Sequence, residues 1–385
     1  MISPCLELIH PLRRCADTGM HSCRQWLCSA ALVFLLPLVA ATRVDAAVGS
    51  DSLDAPAAMI AAAVKAPVIG VAQAGGTLVS VGPRGLIQRS TDGGQSWQQV
   101  PSPVSSDLVQ VRFSDERNGW IVGHDSVLLH TSDGGDSWQI QLDGRRLLAL
   151  LQGWYGQRAE AGDAIADDML REISMAMSTS ATPDVLPAPF LDVLFDGRGH
   201  GFVVGAFGMI LHSQDAGATW EPWIEHTDND RRMHLYGLSE RHGVFYVAGE
   251  QGLLMRLEPQ AGRFVALEVP YSGTFFGVRA LDDLLLVHGL RGNLFASRDD
   301  GQQWQKVETG LDSSLVSLVE QGSKLVVVSQ DGQMVAVNSN TLAVTSLQPV
   351  RVGEIYAASL SSVADDKLVV ALFSGARVVA IAKAD

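Results

Sequence analysis

The chain has 385 residues, of which 47% are hydrophobic and only 18% charged, with 38 glycines and a formal net charge of −14. Such a chain can bury a large core, and its glycines point to many tight turns rather than long helices. An acidic surface of this kind repels nucleic acid and anionic lipid, so neither is an expected partner.

At the N-terminus, Arg24 precedes an apolar run over 26–41, and Val44-Asp45-Ala46 offers small residues for cleavage. Residues 1–46 therefore read as a secretory signal peptide. Pro37 interrupts the run, which is short for a span of about 20 residues, so no direct membrane span is expected after cleavage. Met20 is an alternative start. All four cysteines (Cys5, Cys15, Cys23 and Cys28) lie in this leader, and residues 47–385 hold no thiol for a disulfide, a metal or a nucleophile.

Four segments of the remaining chain align directly: STDGGQSW at 90–97, TSDGGDSW at 131–138, SQDAGATW at 213–220 and SRDDGQQW at 297–304. Their tryptophans are 41, 82 and 84 residues apart, one period followed by two doubled ones. The repeated residues are Asp92 and Trp97, Asp133 and Trp138, Asp215 and Trp220, and Asp299 and Trp304. These Asp-box turns are expected to be structural. A second marker, strand–turn–strand, recurs seven times, near Gly85, Asp125, Gly208, Gly252, Gly292, Gly332 and Gly375. Seven units of short strands with alternating apolar residues make the fold class all-β, a seven-bladed β-propeller over 47–385.

The third unit reads most cleanly, with strands over 190–195, 201–205, 209–213 and 219–223. Asp215 is expected to accept N–H groups of its own turn, Gly217 to supply positive φ, and Trp220 to pack against the neighbouring blade. The last unit has three strands, over 354–360, 367–373 and 377–383. Its missing outer strand is expected from the stretch around 57–64, although alanine is a weak strand former.

Between the second and third units, residues 142–189 read as a helical insert. Ile165, Met169, Ile173 and Met177 recur every fourth residue, with Asp163, Asp167, Asp168 and Glu172 on the other side. Leu147 to Tyr155 suggests a preceding helix that Gly153 and Gly156 weaken or end.

Antiparallel order places the turns between second and third strands on one face, together with the insert, and the Asp boxes on the opposite face. Partner-binding candidates on the first face are Arg84, His124, Phe207, Glu250 and Arg291, with Trp154 and Tyr155 from the insert; arginine and aromatic residues favour interface hot spots. A glycoside hydrolase is one alternative, since Asp125, Glu250 and Asp331 share that face and paired carboxylates would be needed. No sialidase Arg-Ile-Pro signature accompanies them. The histidines are scattered singly without ligand spacing, so no metal or other cofactor is expected.

The segments 108–138 and 189–220 share an apolar strand, Asp, His/Asn-Gly-Trp/Phe, Val-Gly and Leu-His-Thr/Ser ahead of the Asp box. This pattern resembles the photosystem II stability/assembly factor family over about residues 68–340. The resemblance implies a non-enzymatic exported scaffold that binds a protein of a membrane complex, in the periplasm or, in a photosynthetic host, the thylakoid lumen. The acidic charge departs from the arginine-rich patch of the family's photosynthetic members, and the insert resembles the bacterial, non-photosynthetic branch; an accessory subunit of an envelope transporter is the alternative reading.

Overall fold

The computed structural model describes residues 51–361 and 366–382, which lie in one compact unit, Gly49–Asp385. The expected signal peptide lies outside the described residues. The strands form seven antiparallel sheets, each in sequence order; six have four strands and one has three. The first strands of the sheets are Gly70–Ala74, Leu108–Phe113, Phe190–Phe195, Leu235–Arg241, Phe275–Leu281, Leu315–Gln321 and Ile355–Leu360. Each touches the next in this order, and the last touches the first, so the sheets close into a ring with these strands innermost.

Packing on both faces explains the sequence of the second strands. Gly119–Gly123 and Gly201–Gly205 are buried at every residue, and Leu284–Gly289 likewise. Neighbouring sheets cover both faces, so these strands are continuous apolar runs rather than the alternation expected from sequence. The glycine that ends each run has a physical cause. A Cβ on Gly123 or Gly205 would collide with the carbonyl oxygen of Asp107 or Pro189. Those carbonyls accept the next N–H, from His124 at 2.8 Å and from Ala206 at 2.9 Å, which locks each turn onto its own innermost strand.

Ring closure differs from the expectation. Residues 57–64 do not complete the seventh sheet. Ala57 donates its N–H to Ser102 at 3.1 Å, and Gln99 bridges Ile60 and Ala58, so this stretch lies on the first sheet. Its alanines form a short turn of helix, Ala63–Lys65, instead of a strand. Closure is by packing and single hydrogen bonds. Val68 donates to Leu372 at 3.0 Å, and Ser361 Oγ donates to the Gly93 carbonyl at 2.9 Å.

The insert forms two helices, α1 (Gly144–Glu160) and α2 (Ala164–Ser178). Asp143 and Asp163 cap them, each accepting two backbone N–H groups of the first turn. α1 runs through Gly153 and Gly156 and is not ended by them. Glycine costs about 1 kcal/mol in a helix, but buried Leu147, Leu148, Leu151 and Tyr155 hold the helix in place. The buried stripe of α2 is Ala166, Met169 and Ile173, whereas Ile165 is 54% exposed.

Candidate binding face

Every sheet places the turn between its second and third strands at the same end as α1 and α2, by its strand order. Five of these turns hold a non-glycine residue in the left-handed region: Arg84, Asp125, Phe207, Gln251 and Arg291, with φ of 58°, 55°, 57°, 53° and 57°. Left-handed backbone costs a non-glycine residue about 1–2 kcal/mol. In each of these turns the following residue also has positive φ, glycine in four cases and Ser126 in the second. Ser126, not Asp125, is thus the equivalent of Gly85. Its hydroxyl donates to the Ala188 carbonyl at 2.7 Å and ties this turn to the end of the insert.

Four of the five left-handed side chains are exposed, and Asp125 is half-buried. Arg84 and Arg291 are exposed, and Phe207 is 58% exposed. His124 is exposed beside them, and Glu250 is half-buried, its Oε2 accepting the His234 N–H at 3.0 Å. Each of the three carboxylates considered for hydrolysis is engaged in hydrogen bonds, Glu250 as just described and only Asp331 within its own turn. Asp125 accepts Ser52 and Ser106 at 2.8 and 2.6 Å, and Asp331 accepts Gln333 Nε2 at 2.7 Å.

Two insert residues take other roles. Tyr155 is fully buried, and its hydroxyl donates to Glu225 Oε2 at 2.6 Å. Burial, reinforced by Glu225, pushes its phenol far above the ordinary range. Arg158 joins the same Glu225 and also Asp163 at 2.9 Å. Tyr155 therefore docks the helices on the third sheet and is not free to meet a partner. Trp154 is half-buried against the same core.

The Asp boxes sit at the opposite ends of the sheets and are turn devices. Asp215 Oδ1 accepts Ser213 Oγ at 2.9 Å and the Thr219 N–H at 2.8 Å, while the Gly217 N–H reaches Ser213 Oγ. Asp133 and Asp299 repeat the pattern, as does Asp92. Hydrogen bonds from Ser96, then from its N–H and from Ser90, lower Asp92 to about 2. Trp220 packs edge-on to Phe195 of its own sheet, 5.7 Å between centroids, within a core cluster that includes Trp120 and Leu142 of the second sheet. Phe195 in turn stacks on Trp120 of the second sheet at 4.1 Å. Trp97 and Trp304 donate to Gly94 and Gly301 at 3.2 and 3.1 Å, and Trp138 meets Phe113 edge-on.

Sequence patterns missed the ring's interior. A cavity of about 630 Å³ runs along the innermost strands. In six sheets the register slips by one residue at the start of that strand, skipping Val109, Leu191, Tyr236, Phe276, Val316 and Tyr356. Bulges re-aim side chains, and all six line the cavity, half-buried. They form an apolar collar at the end bearing the turns. Farther along the same strands the wall is charged: Arg112 pairs with Asp192, and Arg279 with Glu320 at 2.7 Å. Tyr236 meets Phe276 at 5.7 Å and His234 at 6.2 Å, and His234 lies 4.9 Å from Phe207. An aromatic row thus leads from an exposed turn to the cavity mouth. Among the described residues no group of three or more His, Cys, Asp or Glu side chains is arranged to hold a metal. No described helix is long and apolar enough to cross a membrane.

Residues 68–147 and 184–340 match the family described as photosynthesis system II assembly factor YCF48. The chain belongs to this family. The unmatched interval, 148–183, contains α2 and most of α1. The chain is 28% identical over 250 residues to the photosystem II assembly lipoprotein Ycf48 of Synechococcus sp. strain CC9902, covering 60% of this chain and 72% of that one. It is 23% identical over 268 residues to the chloroplastic photosystem II stability/assembly factor HCF136 of Arabidopsis thaliana, covering 59% and 63%. With HCF136 of Cyanidioschyzon merolae the identity is 44%, over 48 residues, 12% of this chain and 11% of that one. The chain thus spans a small part of some relatives and most of others. A solved structure of YCF48 bound to D1 peptide superposes with a TM-score of 0.57 at 15% identity, covering 86% of this chain and 97% of that one. YCF48 from Cyanidioschyzon merolae gives 0.55 at 14% identity, covering 82% and 95%.

Proposed function

We propose that the protein is an exported, non-enzymatic scaffold that binds a polypeptide segment of a membrane-complex protein. The ring is read as a seven-bladed β-propeller over 47–385, with α1 and α2 an insertion between blades 2 and 3 and residues 1–46 a cleaved signal peptide. Family membership carries this reading, and a relative that binds D1 peptide supports it. The binding face is the one bearing the turns and the insert, with Arg84, His124, Phe207, Glu250 and Arg291 as contact residues and Trp154 at its edge. Photosystem II is the complex in a photosynthetic host. An envelope complex of the periplasm is the counterpart in a bacterium without photosynthesis. The side chains exposed on strained turns support recognition there, because such backbone persists where its surroundings over-determine it and clusters at functional sites.

The test is affinity capture from solubilised host membranes, with the captured subunit identified by mass spectrometry. One membrane-complex subunit should be retained by the native chain and lost from the Phe207→Ala, Arg291→Ala double variant. Equal capture by both removes this face from the reading. Turnover of a glycoside that disappears with Glu250→Gln would replace the scaffold by an enzyme.

A further inference from the structure

Two aromatic rings and one carboxylate meet where the turn face opens into the cavity. Tyr236 and Phe276 are bulge residues of adjacent innermost strands, with centroids 5.7 Å apart and planes at 80°. They form two walls of a corner. The residues that follow, Gly237 and Gly277, let the strands come this close. A Cβ on Gly237 would lie 2.9 Å from Gly277 Cα, and one on Gly277 would press into the His288 ring.

Glu250 stands beside this corner. Its carboxylate accepts the His234 N–H at 3.0 Å. Burial, then the Glu250 charge and its hydrogen bond, raise the Tyr236 phenol above its ordinary value. Glu250 enters no ion pair among the described residues, whereas the cavity's own cations are answered: Arg112 by Asp192 and Arg279 by Glu320. The corner therefore carries one carboxylate without an ion-pair partner among the described residues, beside the Tyr236 ring. An apolar side chain seated there would strip water from a carboxylate that no cation balances. A cation would satisfy the carboxylate and the π faces together.

We propose that the Tyr236–Phe276 corner, with Glu250, is a binding site for one cationic side chain, lysine or arginine, of an extended segment lying on the turn face. The proposal rests on the reading above that this face binds a polypeptide. The Phe207–His234 pair continues the row outward and would carry the flanking part of the segment.

The probe is acetyl-Gly-Lys-Gly-amide, titrated into the full chain and followed by the NMR shifts of the aromatic rings, against acetyl-Gly-norleucine-Gly-amide. The lysine peptide should bind about tenfold more tightly, a difference of ~1.4 kcal/mol. Glu250→Gln should erase that preference and Glu250→Asp should keep part of it, with unchanged thermal midpoints reporting an intact fold. Tyr236→Leu should weaken the lysine peptide alone. Equal binding of the two peptides, or a preference that survives Glu250→Gln, overturns the proposal. The tripeptide needs only the corner. Membrane-subunit capture that persists without lysine preference therefore sinks the corner and leaves the scaffold reading standing. Lysine preference without capture does the reverse.

Discussion

Arg112 on the second sheet grips Asp192 on the third through two parallel hydrogen bonds, Nε to Oδ1 at 3.0 Å and Nη2 to Oδ2 at 2.8 Å. The Asp192 side chain is 1% exposed, and its Oδ2 also accepts the Leu238 N–H of the fourth sheet at 2.8 Å. One carboxylate thus joins three consecutive sheets at the wall of the cavity. Elsewhere around the ring a serine does part of this work. Ser239 accepts the Ala280 N–H at 2.9 Å, and Ser317 accepts the Ala358 N–H at 3.0 Å. These bonds satisfy edge N–H groups that would otherwise invite strand addition.

Asp192→Ala should therefore destabilise the fold, because it strands a guanidinium and a buried N–H at once. Breaking a buried pair from one side costs about 3–5 kcal/mol. Arg112 is a third exposed and regains some water, so a loss of about 2–3 kcal/mol is expected from the urea midpoint. Arg112→Met with Asp192→Asn should cost less than the two single changes added together, since neither charge is then left alone.

The Asp boxes fix a second outcome, in pH. Asp92 and Asp133 are held near 2. At Asp133 burial raises the value, and hydrogen bonds from Ser137 and Thr131 overcome it. A carboxyl with a lowered folded pKa binds its proton more readily in the unfolded chain. Its stabilisation is complete above the unfolded value of about 3.9 and is lost as pH falls toward 2. The thermal midpoint should drop across that window, and Asp92→Asn with Asp133→Asn should flatten the drop. Asp133 is exposed and Asp92 half-buried at a surface turn, so the effect at neutral pH is small. Capture of a membrane subunit should survive these substitutions, because the boxes lie on the far face.

How much of this was legible depends on how local each signal is. The Asp box closes within eight residues, so Ser213, Asp215, Gly217 and Trp220 could be placed by reading along the chain. The insert announced itself through 3.6-residue periodicity, though not which side of Tyr155 would be covered. Trp154 and Tyr155 look alike in sequence. Tyr155 falls on the buried stripe of Leu148 and Leu151, and Glu225, seventy residues away, receives its hydroxyl there. The Tyr236–Phe276 corner was invisible for a related reason. It depends on two one-residue register slips 40 residues apart, and a bulge leaves no mark in composition. The stretch 57–64 misled because the symmetry of the repeat called for a strand, while its alanines lacked the side chains to hold one.

Tyr155→Phe isolates the docking of the helices. The ring still fills its site, but Glu225 loses one donor and keeps Arg158. A hydrogen bond to a charged group is worth about 1.5–3 kcal/mol. Arg158 compensates in part, so hydrogen exchange over 144–178 should rise well before global unfolding shifts. Uniform exchange across the chain would mean that the helices unfold only with the whole ring.

Phe207 and Arg291 allow recognition to be separated from stability. At φ of 57° each occupies a conformation that glycine adopts without strain. Phe207→Gly and Arg291→Gly therefore remove a local penalty of about 1–2 kcal/mol. Glycine also loosens the unfolded chain, which takes back about 0.4–1 kcal/mol. The two effects nearly cancel, and since Phe207 and Arg291 are both exposed, little packing is lost. The thermal midpoint should stay level or rise slightly in both variants, while capture of the membrane subunit falls at least tenfold. That combination, a fold no weaker and a partner lost, is expected only if the side chains are retained against backbone strain for what they touch outside the molecule. A fall in both quantities would instead mark Phe207, through its contact with His234, as a support of the turn.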